Sequence, residues 1–183
     1  MAYANKTITN NITGQSIRFI KTAKETKGQL LEMESTYAAH STEPAEHYHP
    51  HQVEDFTVLS GELTVRVDGA VKTLRRGDKL HVAQNKVHSM WNQSHEAAVV
   101  NWQVKPAMDT EYLFETLTGL ANDGKVNAKG LPSFLQLVLM ANRFLNVIRL
   151  TKPGLVTQKI LFTALTPFAY LAGYRPTYRK YFD

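Results

Sequence analysis

From residue 16 to residue 104 the chain alternates apolar and polar positions in short runs broken by turn-forming residues, the period-two signature of half-buried strands. Residues 16–21 and 29–33 read as the first strands. The run Phe56-Thr57-Val58-Leu59 follows, broken by Ser60-Gly61, and 63–67 alternates again. Asp68-Gly69 is a tight hairpin signal that leads into 71–74. Gly77-Asp78 marks another turn, 86–92 a further strand, and 97–104 the last. Short antiparallel strands with turns this frequent predict a sandwich or barrel. Residues 1–14 are poorly patterned and read as an arm or an edge segment.

Beyond Pro106 the period changes. Asp109-Thr110 is a helix N-cap signal, Tyr112, Leu113, Leu117 and Leu120 recur at helical spacing, and Asn122-Asp123-Gly124 ends the helix. A polar loop, 125–130, leads to Pro132, a residue suited to a first helical turn. Residues 134–150 are strongly apolar apart from a narrow stripe of Gln136, Arg143, Asn146 and Arg149, and read as one helix. Pro153-Gly154 breaks it. Residues 156–172 read as a second apolar helix, bent or split at Pro167, before a basic, aromatic tail. The class is mainly β, with residues 1–107 a barrel and 108–183 an α-helical extension. The apolar faces of the helical hairpin are wider than one partner helix needs. They are open to three readings: packing on the barrel, a subunit interface, or a membrane surface met by basic residues. A spanning helix is not expected, because Arg143, Lys159 and Pro167 interrupt the apolar segments.

Charge sharpens this division. Residues 132–183 hold seven lysines and arginines against Asp183 alone, a net +6, so the rest of the chain contributes −1 to the total of +5. The barrel therefore lacks the basic excess of a nucleic-acid binder, and no nucleic-acid partner is expected. There is no cysteine, hence no disulfide framework, thiolate ligand or cysteine nucleophile. The N-terminus has no apolar core behind Lys6, so no secretory signal is expected and the expected location is cytoplasmic.

All seven histidines lie between His40 and His95. His47 and His49 are two apart, a spacing that puts both side chains on one face of a strand. Glu54 follows closely, and His88 lies on the later predicted strand. Three imidazoles and a carboxylate suit a first-row transition ion better than calcium or magnesium. Pro50 implies a bend that takes His51 out of the set. His81 and His95 lack the spacing, and His40 stands near the first group with nothing to decide its role.

The two runs together resemble the paired motifs of the cupin superfamily. The first motif is carried by His47, His49, Glu54 and Gly61, the second by Gly77, His88 and Asn92. The departures are Ser41 for a leading glycine, Ala83 for a proline and Asn85 for a glycine. Asparagine is the residue that best replaces glycine at positive φ. The resemblance spans roughly residues 15–107. It implies a double-stranded β-helix, or jelly-roll barrel, with one divalent transition-metal ion (iron, manganese, nickel, zinc or copper) on His47, His49, Glu54 and His88. It also implies a small-molecule substrate or ligand and a homodimer. The barrel with a helical tail is similar to a group of bacterial cupin proteins of unassigned activity.

The family's metal sites support several chemistries, so the fold does not select one. The expected function is a metal-dependent oxidoreductase of dioxygenase type acting on a small enol or aromatic molecule, with Glu54 as a ligand that also serves as base. A non-enzymatic sensor or metal-binding module and a sugar isomerase or epimerase are the alternatives. A phosphate clamp for sugar phosphates has only Arg75-Arg76 as candidate, and a solvated turn explains that pair. Tyr48, Phe56, Met90, Trp91 and Trp102 are candidate pocket walls. The tail is expected to be separable from the metal ligands.

Overall fold

The computed structural model describes residues 1–182. Eleven strands form two antiparallel sheets. In the first, β1 (Thr7–Thr9), β2 (Ser16–Lys21) and β3 (Leu31–Tyr37) lie beside β10 (Ala98–Lys105), β5 (Val53–Ser60) and β8 (Lys79–Val82), in that order. The second runs β11 (Arg149–Leu150), β4 (His47–Tyr48), β9 (His88–Trp91), β6 (Glu62–Val67), β7 (Ala70–Arg75). Sequence-remote neighbours such as β3 beside β10 and β4 beside β9 are what a jelly roll requires, and the class is mainly β with C-terminal helices, as expected.

The register follows the alternation. Along β3 every second residue, from Leu31 to Tyr37, is buried, and the strand pairs with β10 so that Met33 faces Trp102 and Ser35 faces Val100. Phe56, Val58, Leu63, Val65, Leu80, Met90 and Val100 fill the space between the sheets. Burying such side chains contributes roughly 1.5–3 kcal/mol each, and a one-residue slip would turn the whole set outward. Two turn positions fix the register chemically. Asn85 adopts φ 63°, so the asparagine does hold the left-handed turn. Gly61 sits at φ +71° with its absent Cβ position 2.4 Å from the Ala97 carbonyl oxygen, so only glycine fits between β5 and β6. The N-terminal segment supplies the edge strand β1.

Helix α1 (Thr110–Asn122) matches its expected span. Asp109 makes no side-chain cap bond there; its carboxylate holds Arg143 instead. The next segment differs from expectation. The apolar run 134–150 is not one helix: α2 (Phe134–Arg143) ends early, the chain turns at Phe144 and Val147, and Arg149–Leu150 becomes strand β11. There Arg149 pairs with Tyr48 and Leu150 with His47. The β-branched Val147 and Ile148 favour extended chain over helix, and the open edge of β4 gives that chain a hydrogen-bonding partner. Helix α3 (Leu155–Leu171) runs through Pro167. Leu113, Leu120, Met140, Phe144 and Val147 form the core that ties the extension together. The end of the chain folds back over it: Tyr178 donates to Gln136, and Tyr181 to Asp123.

Candidate metal centre

The first sheet supplies Glu54 and the second supplies the histidines. His47 is on β4 and His88 on β9, directly paired across the ladder. His49 lies just past the end of β4, before the bend at Pro50, with its ring 5.2 Å from that of His47. The three ring centroids are 4.4–5.3 Å apart, and one nitrogen from each ring lies within 4.8 Å of the other two. His49, His88 and Glu54 are buried and His47 is half-buried.

Backbone carbonyls fix the tautomers. His47 Nδ1 donates to Ala45 O at 3.0 Å, His88 Nδ1 to Lys86 O at 2.9 Å, and His49 Nδ1 to Val147 O at 2.6 Å. With Nδ1–H committed outward, each neutral ring turns its Nε2 lone pair inward, the form that binds a metal. The carboxylate of Glu54 meets them: its Oε2 is 2.9 Å from His88 Nε2 and 3.3 Å from His49 Nε2. The other oxygen, Oε1, accepts a 3.0 Å hydrogen bond from the Trp102 indole N–H. Trp102 in turn stacks on Phe56.

Glu54 Oε2 and His49 Nε2 are buried without a hydrogen-bond partner among the described residues. Lone pairs converging on an anion in a dry interior are unfavourable unless a cation joins them. That cation is either a proton or a metal ion. Three nitrogens and a carboxylate oxygen are the donor set of a borderline transition ion, so His47, His49 and His88 fit a metal, with Glu54 beside them.

The titration behaviour follows from the same geometry. The His47 ring is drawn down to about 3, first by desolvation and then by its neighbours His88 and His49, against the pull of Glu54. For His88, burial also opposes the charge, but the hydrogen-bonding reach and charge of Glu54 outweigh it and raise the ring above its ordinary value. Burial works against the Glu54 charge as well; the charge of His49 and then the contact with His88 overcome it and hold the carboxyl below its usual range.

The remaining candidates fall elsewhere. His51 is exposed. His81 pairs with Asp55 at 2.7 Å on the outer face of the first sheet. His40 and His95 meet each other, Nε2 to Nδ1, at 3.0 Å. Asn92 is buried and closes a loop through Tyr37 O and Glu96 O, while its own N–H donates to Ser41. Arg75 is exposed and paired with Glu62. Of the pocket-wall candidates, Phe56, Met90 and Trp91 are buried, whereas Tyr48 is half-buried beside Arg149. Two features carried no sequence signal: the indole donor on Glu54 and the Val147 carbonyl on His49. The second brings a backbone atom of the C-terminal extension to one of the clustered histidines. A backbone carbonyl has no residue type to betray it.

Residues 33–104 match the family model described as Cupin domain. The Quercetin 2,3-dioxygenase of Bacillus subtilis (strain 168) is 34% identical over 90 residues, which cover 49% of this chain and 26% of that protein. The chain thus spans about a quarter of the length of that curated relative. Among solved structures, an RmlC-like cupin from Shewanella frigidimarina is 20% identical, the match covering 61% of this chain and 94% of that one, with a TM-score of 0.49. A predicted oxalate decarboxylase from Thermotoga maritima is 16% identical, the match covering 56% of this chain and 92% of that one, with a TM-score of 0.49. The domain match lies on the strands that carry the histidines and Glu54, so residues 33–104 form a cupin domain.

Proposed function

We propose that this protein is a metal-dependent oxidoreductase of dioxygenase type, acting on a small enol or aromatic molecule. The observation that carries this reading is the cluster of imidazole nitrogens from His47, His49 and His88, with the buried Oε2 of Glu54 beside His88 and His49. The local similarity to a quercetin dioxygenase supports the choice of reaction class.

A bound transition ion, held by His47, His49 and His88 with Glu54 beside them, would supply Lewis acidity and redox chemistry toward oxygen. The chain supplies the rest. Three carbonyl-anchored imidazoles hold their nitrogens in one geometry. Glu54, kept ionised by its histidine neighbours, is placed to take the hydroxyl proton of an entering enol on Oε2. The Trp102 N–H orients that carboxylate through Oε1. Phe56 and Met90 exclude water around it.

The test is oxygen consumption. Metal-free protein is loaded anaerobically with iron, manganese, nickel or copper, then mixed with flavonols and smaller enols under oxygen. Uptake is expected with at least one metal, and Glu54→Gln should lower it by roughly 10²-fold or more, the scale of a lost general base. Stoichiometric metal binding with no uptake across the series would reject the oxidoreductase reading in favour of a binding module.

A further inference from the structure

Helix α3 is apolar around most of its circumference, yet only Gln158, Phe162 and Ala169 of its residues are buried. Val156, Ile160, Phe168 and Leu171 are 72%, 68%, 62% and 86% exposed. Val156, Ile160, Thr163, Pro167 and Leu171 fall along one face, apolar except for Thr163, with Lys159 at its margin. Scattered single apolar residues on a surface are ordinary, but a largely apolar helix face is a candidate docking surface.

Charge identifies the occupant. No aspartate or glutamate occurs between residues 132 and 182. Lys152 precedes α3 and is exposed; Arg175 follows it, its guanidinium on the carbonyls of Tyr170 and Tyr174 at the helix end. Arg179 is exposed just beyond. The start of α2 lies at the same end, since Gln136 donates to Arg175 O, and adds the exposed Phe134. An apolar strip with Lys159 in its first half and Lys152 and Arg175 just beyond its two ends matches an anionic bilayer surface, where acyl chains take the strip and headgroups take the cations.

A second copy of the chain fits less well. Isologous pairing would set two cationic strips against each other without an acidic residue between them. The strip is also small: a helix of 17 residues is about 26 Å long and about 10 Å wide, on the order of 300 Å² against the roughly 800 Å² per partner of a stable interface. Crossing the membrane is a different matter, and no helix among the described residues is long and apolar enough for it.

We propose that the outward face of α3 docks the protein along an anionic phospholipid surface. Flotation of the intact protein with vesicles tests this, using phosphatidylcholine alone and an equal mixture with phosphatidylglycerol. The protein should rise with the anionic vesicles, weakly with the neutral ones, and less as salt increases. Lys152→Ala with Lys159→Ala should weaken binding by about tenfold or more, at about fivefold per lysine. Ile160→Ser with Leu171→Ser should do the same through the apolar strip. All four positions are exposed and far in sequence from the histidines, and unchanged metal content would confirm that each variant is folded. No flotation with anionic vesicles would overturn the proposal. So would equal binding to both vesicle types that the lysine changes leave untouched, or a dimer in light scattering that the Ile160→Ser, Leu171→Ser variant converts to monomer.

Discussion

His88 differs from the other site histidines in facing Glu54 at hydrogen-bonding distance, and its titration reflects that contact. Its ring is raised above 6.5 in the metal-free protein, so a proton there gains stability on folding. That contribution is fully present below the unfolded value of 6.5 and is lost as pH rises through the folded value. A metal must displace the same proton. Metal affinity is therefore expected to start falling, on acidification, at a pH already above 6.5. Replacing Glu54 with glutamine removes the main causes that raise His88, leaves burial opposed only by the bond to the Lys86 carbonyl, and should move the onset to lower pH. Titration of bound metal against pH on both proteins checks this; an onset that does not move would separate Glu54 from His88. At the same scale, His88→Ala should abolish stoichiometric metal binding, whereas His95→Ala, whose ring meets His40, should leave it intact. That His47, His49 and His88 come together was legible in the sequence, because metal chemistry restricts both residue type and spacing. Their hydrogen-bonding partners were not, since the Ala45, Lys86 and Val147 acceptors are backbone atoms that any residue carries.

The short element β11 shows what the periodicity of a sequence leaves out. An apolar run from 134 to 150 satisfies a helical pattern, but two residues of it complete the second sheet beside His47 and a third turns its carbonyl to His49. Strand pairing across about 100 residues is decided by the partner edge, not by local alternation. The barrel strands were legible because each is flanked by turns and buried on one face. Phe144 and Val147 seat β11 in the core of the extension. Phe144→Ala is expected to cost about 3–5 kcal/mol in that core and to loosen the Val147 carbonyl from His49. Metal affinity should then fall by roughly 10–100-fold, the usual effect of losing a partner to a ligand histidine, although Phe144 touches no ligand. Equilibrium metal titration of the folded variant would show it, and unchanged affinity would make the Val147 contact incidental. Gly61 governs a second junction. Gly61→Ala puts a methyl group against the Ala97 backbone at a φ that L-residues disfavour, and should destabilise the fold by about 2 kcal/mol or more in denaturant unfolding.

At the scale of the whole molecule, the cationic extension and the near-neutral barrel share one chain of contacts. His49 holds Val147, β11 lies on β4, and Gln158 of α3 reaches back to the carbonyls of Leu150 and Pro153. Thermodynamic linkage makes this reciprocal: if the seated strap tightens the metal, the metal tightens the strap by the same factor. Trypsin can read this. The Arg149–Leu150 bond lies within β11 and is open to cleavage only when the strap has left β4, whereas Lys129 sits in an exposed loop and reports general susceptibility. Zinc at 100 times its dissociation constant stabilises the binding-competent state by about 2.7 kcal/mol. When reclosing outpaces cleavage, the cut rate follows the open population. Cleavage at Arg149 is therefore expected to slow by about tenfold or more on zinc addition, with little change at Lys129, and the protection should vanish in His49→Ala. Equal slowing at both bonds would mean that the metal stabilises the fold as a whole. No slowing at Arg149 would mean that the extension rests on the barrel without sharing its metal centre.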